Sequence, residues 1–153
     1  YDLSTSHVLP ALIRKLQTAK NTNQEQVICW GTGDPLREFL YVDDLAEACI
    51  FALKNWDITS KDSPLDVKDK KLTWLNVGSG KEISIRDLAD KISDLIGYKG
   101  NIIWDKNKPD GTPRKLLDTS RIRSLGWEPK ISLENGIKLA IKDFNNNQFL
   151  KKV

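Results

Sequence analysis

Three cations are held in one unusually stiff loop of the sequence. The segment KPDGTPRKLLD, residues 108–118, places Lys108, Arg114 and Lys115 around two prolines and a glycine. Proline fixes φ and restricts the residue before it, so such a loop loses less entropy when it is ordered. A loop that presents cations to an anion in fixed geometry gains from this stiffness. We interpret it as a candidate diphosphate site, against the alternative of a stiff surface turn with solvated lysines.

Another cation, Arg37, follows a glycine-rich turn. In the segment WGTGDPLREF, residues 30–39, Arg37 leaves a turn that contains two glycines and a proline. A guanidinium offers fork geometry to oxyanions, so this turn either grips a phosphate or only connects two strands. The dinucleotide fingerprint G-x-G-x-x-G would need a glycine where Leu36 stands, and the segment GSGKEI fails likewise. Neither segment is therefore predicted to bind a dinucleotide.

His7 is the only histidine of the chain. An imidazole exchanges protons near neutral pH, which suits acid–base catalysis, although a lone histidine before a helix is more often a surface residue. With one histidine, at most one Ser/His/Asp set can form, and no tyrosine has a lysine four residues later. Cys29 and Cys49 match no metal spacing, so we expect two buried free thiols and no metal.

Composition narrows the class of protein. The chain has 153 residues, 39% hydrophobic and 29% charged, with a net charge of +3. This mild excess of cations does not argue for nucleic acid, and no apolar run is long enough to cross a bilayer. Without a basic and apolar leader, we expect a cytoplasmic protein with no membrane partner. The sequence has no methionine, so we expect it to be a piece of a longer chain.

Periodicity predicts helices that alternate with strands. Apolar residues at helical spacing predict helices over Val8–Lys20 and Asp44–Lys54, from Ser84, and from Ser132, with a short one in DTSRIRSLGW. The helix from Asp44 is apolar on almost all sides and is expected to be buried, with Asp43 or Asp44 as its cap. Strands are predicted at VICW, REFLYV, LTWLNV and NIIW, and a surface loop at 55–71. The alternation predicts a mixed α/β fold.

Three segments together resemble one enzyme family. SHVLPALIRK, WGTGDPLREFLYVDDLAEA and KPDGTPRKLLD are similar to the C-terminal half of GDP-L-fucose synthases. These are extended short-chain dehydrogenases of the Rossmann-type NAD(P)-binding superfamily. The middle segment resembles many enzymes of that superfamily that act on nucleotide sugars, whereas the other two are closer to fucose synthases. The resemblance implies one substrate-binding unit over residues 1–153, without the N-terminal NADP-binding domain.

The resemblance also implies a reaction and a set of site residues. The family epimerises GDP-4-keto-6-deoxy-D-mannose at C3 and C5 and then reduces C4 with NADPH. The family's proton donor in epimerisation falls on His7. Its substrate contacts fall on six residues, namely Val8, Leu12, Lys15, Trp30, Arg37 and Lys115. No residue here is implied for NADP(H), which the family binds mainly through its N-terminal half.

Several expectations follow from what the resemblance leaves out. The glycine-rich NADP loop, the serine and Tyr-x-x-x-Lys of reduction and the cysteine paired with the histidine have no counterpart here, so this chain alone is expected to be inactive. A homodimer is expected, because the strand LTWLNV would offer an unpaired edge to a second copy. Two alternatives stay open: part of an epimerase or dehydratase for UDP- or dTDP-sugars, and a noncatalytic nucleotide-sugar binding module.

Overall fold

The computed structural model describes residues 6–146, which form five helices and five strands. The helices are α1 (Val8–Asn21), α2 (Val42–Asn55), α3 (Ile85–Ile96), α4 (Ser120–Ser124) and α5 (Leu133–Asn146). The strands are β1 (Gln26–Trp30), β2 (Leu36–Glu38), β3 (Glu82–Ser84), β4 (Asn101–Asp105) and β5 (Arg114–Lys115). Strands β1 and β4 pair in parallel, and a second sheet has the order β3-β2-β5. The predicted mixed α/β fold is confirmed.

The described residues divide into two compact units, each assembled from segments that are distant in sequence. The first unit contains residues 6–37, 83–115 and 134–146. The second contains residues 38–82 and 116–133. The sequence predicts one substrate-binding unit over the whole chain, and that stays a prediction about function.

The core of the first unit lies between two helices and the β1–β4 sheet. Helix α1 packs on α3 and on β1. Strand β1 alternates strictly, with Val27 and Cys29 buried and its other three residues exposed, because successive side chains of a strand point to opposite faces. The helices contribute two apolar stripes with buried residues at Leu12, Ile13, Leu16, Leu88, Ala89 and Ile92. The stripes agree with the helical spacing read from the sequence.

Helix α3 has both of the caps that its sequence predicts. The Ser84 hydroxyl accepts a hydrogen bond from the Asp87 backbone N–H at 3.0 Å and donates to the Asp87 carboxylate at 2.7 Å. At the other end, Gly97 takes the left-handed conformation with φ of 74°. A residue with a side chain adopts this conformation only with strain, so glycine ends the helix sharply.

Two carboxylates organise the second unit. Asp44 is buried and accepts hydrogen bonds from the backbone N–H groups of Lys130, at 3.1 Å, and Ile131, at 2.9 Å. Glu38 accepts from the N–H of Gly80 and from that of Leu117, the latter at 3.1 Å. Both carboxylates therefore tie segments that are distant along the chain to one another. The apolar core beside them contains Ala48, Ile122 and Trp127, with Leu40, Phe51, Leu75 and Val77 packed against it.

Helix α2 differs from its prediction in three ways. It begins at Val42, with Tyr41 at the N-cap, and Asp43 and Asp44 lie in its first turn rather than capping it. Its buried residues are Asp44 and Ala48, so the prediction of a helix buried on most sides was wrong. Val42 and Leu53 are 64% and 87% exposed, because the helix packs only through the side that carries the buried pair. Cys49 lies on the exposed side, so only Cys29 is a buried thiol.

The strand predicted at LTWLNV does not form. Residues 72–77 belong to none of the strands in the part of the chain that the structure describes. A strand exists only where its backbone pairs with another, and these residues have no ladder partner there. The expected homodimer therefore loses the strand edge on which it was based. The segment before it, residues 56–71, contains turns and one isolated bridge between Leu65 and Lys71.

Replacing Asp44 tests the role of the buried carboxylate. Asp44→Ala is expected to lower the free energy of unfolding by about 3 kcal/mol, because two backbone donors lose a charged acceptor. The neighbouring Asp43→Ala is the matched control, since Asp43 is exposed and should change stability by no more than about 0.5 kcal/mol. Urea unfolding measures both variants. Equal losses for the two would contradict the assignment.

Candidate functional site

Arg37 and Lys115 lie side by side on neighbouring strands of the first unit. Strands β2 and β5 pair in parallel, with Leu36 opposite Arg114 and Arg37 opposite Lys115. At the start of this ladder, the Leu36 N–H donates a hydrogen bond to the Pro113 carbonyl at 2.8 Å. Residues opposite each other in a ladder project from the same face of the sheet. The Arg37 guanidinium and the Lys115 ammonium are therefore presented on one face, although they come from two segments that are distant in sequence.

A glycine lets the cationic loop approach the Arg37 side chain closely. A Cβ on Gly111 would lie 3.0 Å from the Arg37 Nη2 atom. The other end nitrogen, Nη1, donates to the Leu36 carbonyl at 2.6 Å. The guanidinium is half-buried, and its hydrogen bond to the Leu36 carbonyl orients it before any ligand arrives. Lys115 is exposed, which leaves its ammonium accessible to an anion.

Asp110 fastens the same loop to the glycine-rich turn. Its carboxylate accepts hydrogen bonds from the Thr32 N–H, at 2.9 Å, and from the Thr32 hydroxyl, at 2.7 Å. A Cβ on Gly31, whose φ is 78°, would lie 2.1 Å from the Asp110 Oδ1 atom, so only glycine admits the carboxylate. The Thr32 N–H and then its hydroxyl lower the pKa of Asp110 below the usual value. We call residues 30–37 and 108–115 the paired segments.

The ring of Trp104 lies close to a second glycine of the same turn, Gly33. Its φ is 81°, and a Cβ there would lie 2.9 Å from the Trp104 ring. The Arg86 guanidinium lies over that ring, 4.9 Å from its centroid, and also donates to the Thr32 carbonyl. The two glycines of the turn therefore admit a carboxylate and an indole from other segments.

Four of the residues implied by the family resemblance line one cavity. The cavity has a volume of about 240 Å³ and lies in the first unit between α1, the end of β1, and α3. Its lining includes Val8, Leu12, Lys15 and Trp30, together with Ala11, Cys29, Ile85 and Trp104. Its walls are mostly apolar, with one cation, which suits the base or sugar part of a ligand better than its phosphates.

Lys15 is positioned within this cavity by the backbone. Its ammonium donates to the Ile28 carbonyl at 2.8 Å, so it is oriented although it lies on the surface. Burial raises the pKa of the neighbouring Cys29 thiol, and the Lys15 charge opposes that rise only in part. The thiol therefore stays protonated at neutral pH and behaves as a small apolar wall.

His7 lies apart from both groups of residues. It occupies the N-cap position of α1, is exposed, and its carbonyl accepts the Ala11 N–H at 3.0 Å. It does not line the cavity, although the next residue, Val8, does. Arg37 and Lys115 do not line it either. The implied residues thus form a cavity group of Val8, Leu12, Lys15 and Trp30 and a ladder pair of Arg37 and Lys115, and His7 belongs to neither.

The sequence did not identify three residues of the site. Asp110 and Thr32 were read only as part of a loop and a turn, and Trp104 only as the end of a strand. The signal that was present is the concentration of glycine beside them, since close approach of distant segments is a common reason for glycine. Within residues 6–146, no group of three His, Cys, Asp or Glu side chains is arranged to hold a metal ion. Nor does any helix there have the length and apolarity needed to cross a membrane.

The lowered pKa of Asp110 makes the loop attachment sensitive to acid. Because the folded-state pKa lies below the unfolded value of about 3.9, the contact contributes stability above that pH and loses it as the pH falls through the folded-state value. The stability difference between the wild type and Asp110→Ala should therefore be constant above about pH 5 and shrink below about pH 4. Urea unfolding across this range measures it, with Asp90→Ala as an exposed control. A difference that persists unchanged into strong acid would contradict the assignment.

The chain is similar to a set of curated enzymes. A model of the NAD dependent epimerase/dehydratase family matches residues 1–63. GDP-L-fucose synthase 1 of Arabidopsis thaliana is 49% identical over 132 residues, which are 86% of this chain and 37% of that protein. The GDP-L-fucose synthase of Escherichia coli strain K12 is 44% identical over 145 residues, which are 95% of this chain and 44% of that protein.

A solved structure shares the fold. It is a GDP-D-glycero-L-gluco-heptose synthase from Campylobacter jejuni, determined in the presence of NADPH. It matches with a TM-score of 0.80 and 31% identity, over 94% of this chain and 48% of that chain. The chain spans about two-fifths of the length of the two curated relatives. Residues 1–63 match the NAD dependent epimerase/dehydratase family, and these two curated relatives are GDP-L-fucose synthases.

Proposed function

We propose that the chain is the GDP-sugar-binding part of an enzyme that epimerises GDP-4-keto-6-deoxy-D-mannose at C3 and C5 and reduces C4 with NADPH. The observation that carries the proposal is the ladder pair, in which Arg37 and Lys115 project from one face of adjacent strands. Two cations fixed at neighbouring positions suit the two phosphates of a nucleoside diphosphate, and the fork of the arginine adds direction.

The cavity group supplies the apolar part of the proposed site. Trp30 is 67% exposed at the end of β1 and begins the paired segments, which end at the ladder pair. A ligand with its base on the Trp30 ring and its diphosphate on Arg37 and Lys115 would use both groups. Val8, Leu12 and Lys15 would then contact it from α1, as the family resemblance implies. Preplaced contacts of this kind reduce the entropy lost on binding.

His7 is the proposed proton donor in epimerisation. Inversion of a carbon next to a ketone removes a proton from one face and returns one to the other, and an imidazolium is a suitable donor. His7 lies one residue before Val8, which lines the cavity. It is proposed to act on the bound sugar and not to contribute to nucleotide affinity.

NADP(H) is the cofactor of the proposed complete enzyme, and no residue of this chain is assigned to it. The described glycine turn admits Asp110 and Trp104 instead of a pyrophosphate. When bound, the cofactor supplies the hydride that reduces the ketone. We further propose a cytoplasmic location, which the free thiols Cys29 and Cys49 support because a reducing compartment maintains them. The homodimer also remains a proposal.

Substitutions at the ladder pair test the binding site. Arg37→Ala and Lys115→Ala are each expected to weaken GDP binding by about 10- to 100-fold, because each removes a charged donor to a phosphate. Lys99→Ala, which removes an exposed lysine after α3, and His7→Ala should leave the affinity nearly unchanged. Titration calorimetry with GDP, GDP-mannose and UDP-glucose measures these effects. Preference for UDP-glucose, or equal weakening by Lys99→Ala, would contradict the proposal.

The chain alone is expected to show no NADPH oxidation with GDP-4-keto-6-deoxy-D-mannose. The reason is that the family resemblance places the NADP(H) site mainly in an N-terminal half that does not correspond to this chain, so no hydride would reach the ketone. Loss of NADPH absorbance measures turnover, with a complete GDP-L-fucose synthase as the positive control. Steady oxidation that depends on the keto sugar would show that this chain binds the cofactor after all.

A further inference from the structure

The paired segments run alongside each other in the same direction. Thr32 and Asp110, which are joined by two hydrogen bonds, are 78 positions apart. The other contacts keep nearly the same spacing, so the two segments advance together from β1 and β4 towards β2 and β5. In chain order these contacts join Trp30 to Lys108, Thr32 to Asp110, Leu36 to Pro113, and Arg37 to Lys115.

Lys108 occupies the end of the paired segments opposite to the ladder pair. Its ammonium lies over the Trp30 ring, 5.4 Å from the centroid. The backbone beneath it is anchored, because the Lys108 N–H donates to the Asp105 carbonyl at 3.1 Å. Both side chains are exposed, so the ring and the cation face solvent together. This places a donor beside an open aromatic surface.

The carboxylates of Asp105 and Asp110, in the same loop, accept hydrogen bonds from donors other than Lys108. Asp110 accepts from Thr32, and the Asp105 carboxylate accepts from the Asn107 N–H at 3.1 Å. Neither contact involves the Lys108 ammonium, whose described partner is the ring of Trp30. A lysine has a flexible four-carbon stem, so its ammonium can move from the ring to the edge of a base that stacks there. The exchange replaces a weak cation–π contact with hydrogen bonds.

We propose that Lys108 selects guanine, donating to O6 and N7 of a base stacked on Trp30. On the edge that carries O6 and N7, guanine presents two hydrogen-bond acceptors. Adenine has an amino group in place of O6, and this group would face the ammonium as a second donor. The inference rests on the proposed function, in which Arg37 and Lys115 bind the diphosphate. It assigns the base end of the same ligand to a residue that the family resemblance left without a role.

The test compares three nucleotides by titration calorimetry on the chain. The wild type is expected to bind GDP and inosine diphosphate alike, since both carry O6 and N7, and to bind ADP about tenfold more weakly. Lys108→Ala should weaken GDP binding by about tenfold and leave ADP nearly unchanged, which removes the preference. Lys108→Arg should keep it, because a guanidinium donates to the same acceptors. Lys106→Ala, an exposed lysine of the same loop, is the matched control and should behave as the wild type.

The outcomes separate this inference from the proposed function. If Lys108→Ala weakens GDP and ADP equally, Lys108 acts only as a charge near the phosphates and its selective role is wrong. An unchanged GDP affinity in Lys108→Ala also overturns it, while the effects of Arg37→Ala and Lys115→Ala still support the diphosphate site. If the wild type binds none of the nucleotides, the proposed function fails. Circular dichroism of each variant excludes misfolding as the cause of a lost affinity.

Discussion

The two hydrogen bonds between the Asp110 carboxylate and Thr32 are the contact on which the geometry of the candidate site depends. Both residues lie outside helices and strands, so these bonds join the two segments in the stretch between the β1–β4 ladder and the β2–β5 ladder. Once the carboxylate is seated, Gly31 must remain glycine, and Gly111 can lie against the Arg37 guanidinium. The prolines of the loop reduce the number of conformations that are lost when this attachment forms.

Because of this attachment, the unit can present its cationic side chains to a ligand without pairing them with its own carboxylates. The Asp110 carboxylate is oriented by two hydrogen bonds from Thr32. Arg37 is directed by a carbonyl and Lys15 by another, so the positive charges are oriented by neutral oxygens and keep their attraction for an anion. Sites arranged in this way bind with less reorganisation, because the polar groups already point where charge will arrive.

Local patterns were sufficient for part of the fold. Ser84 and Gly97 ended α3 where the sequence predicted, because a cap depends on only a few neighbouring residues. The exposure of α2 could not be predicted, because apolar periodicity reports which residues prefer burial and not whether a partner is packed against them. The missing strand at 72–77 has the same cause, since pairing depends on a second segment.

The site was predictable only in its residue types. The stiffness and charge of the loop pointed to a group of cations there, and fork chemistry pointed to Arg37, whereas only the family resemblance singled out Lys115. The adjacency of Arg37 and Lys115 follows from a ladder between strands of three and two residues. Strands that short carry no periodic signal. The role of Asp110 was hidden for the same reason, because its partner is 78 positions away. Contacts of this length are fixed by the tertiary fold and leave only the neighbouring glycines as a local trace.

The parallel pairing of β1 with β4 has a consequence for synthesis on the ribosome. Val27 is opposite Ile102, so the strand emerges roughly 75 positions before its partner. At elongation rates of about 5–20 residues per second, it waits for about 4–15 s with its backbone unpaired. Helix α1 is already made and can shelter the Val27 side of the strand, but Ile28 and Trp30 face the other way. A nascent chain that stalls between these strands would therefore expose an unpaired strand edge with two apolar side chains.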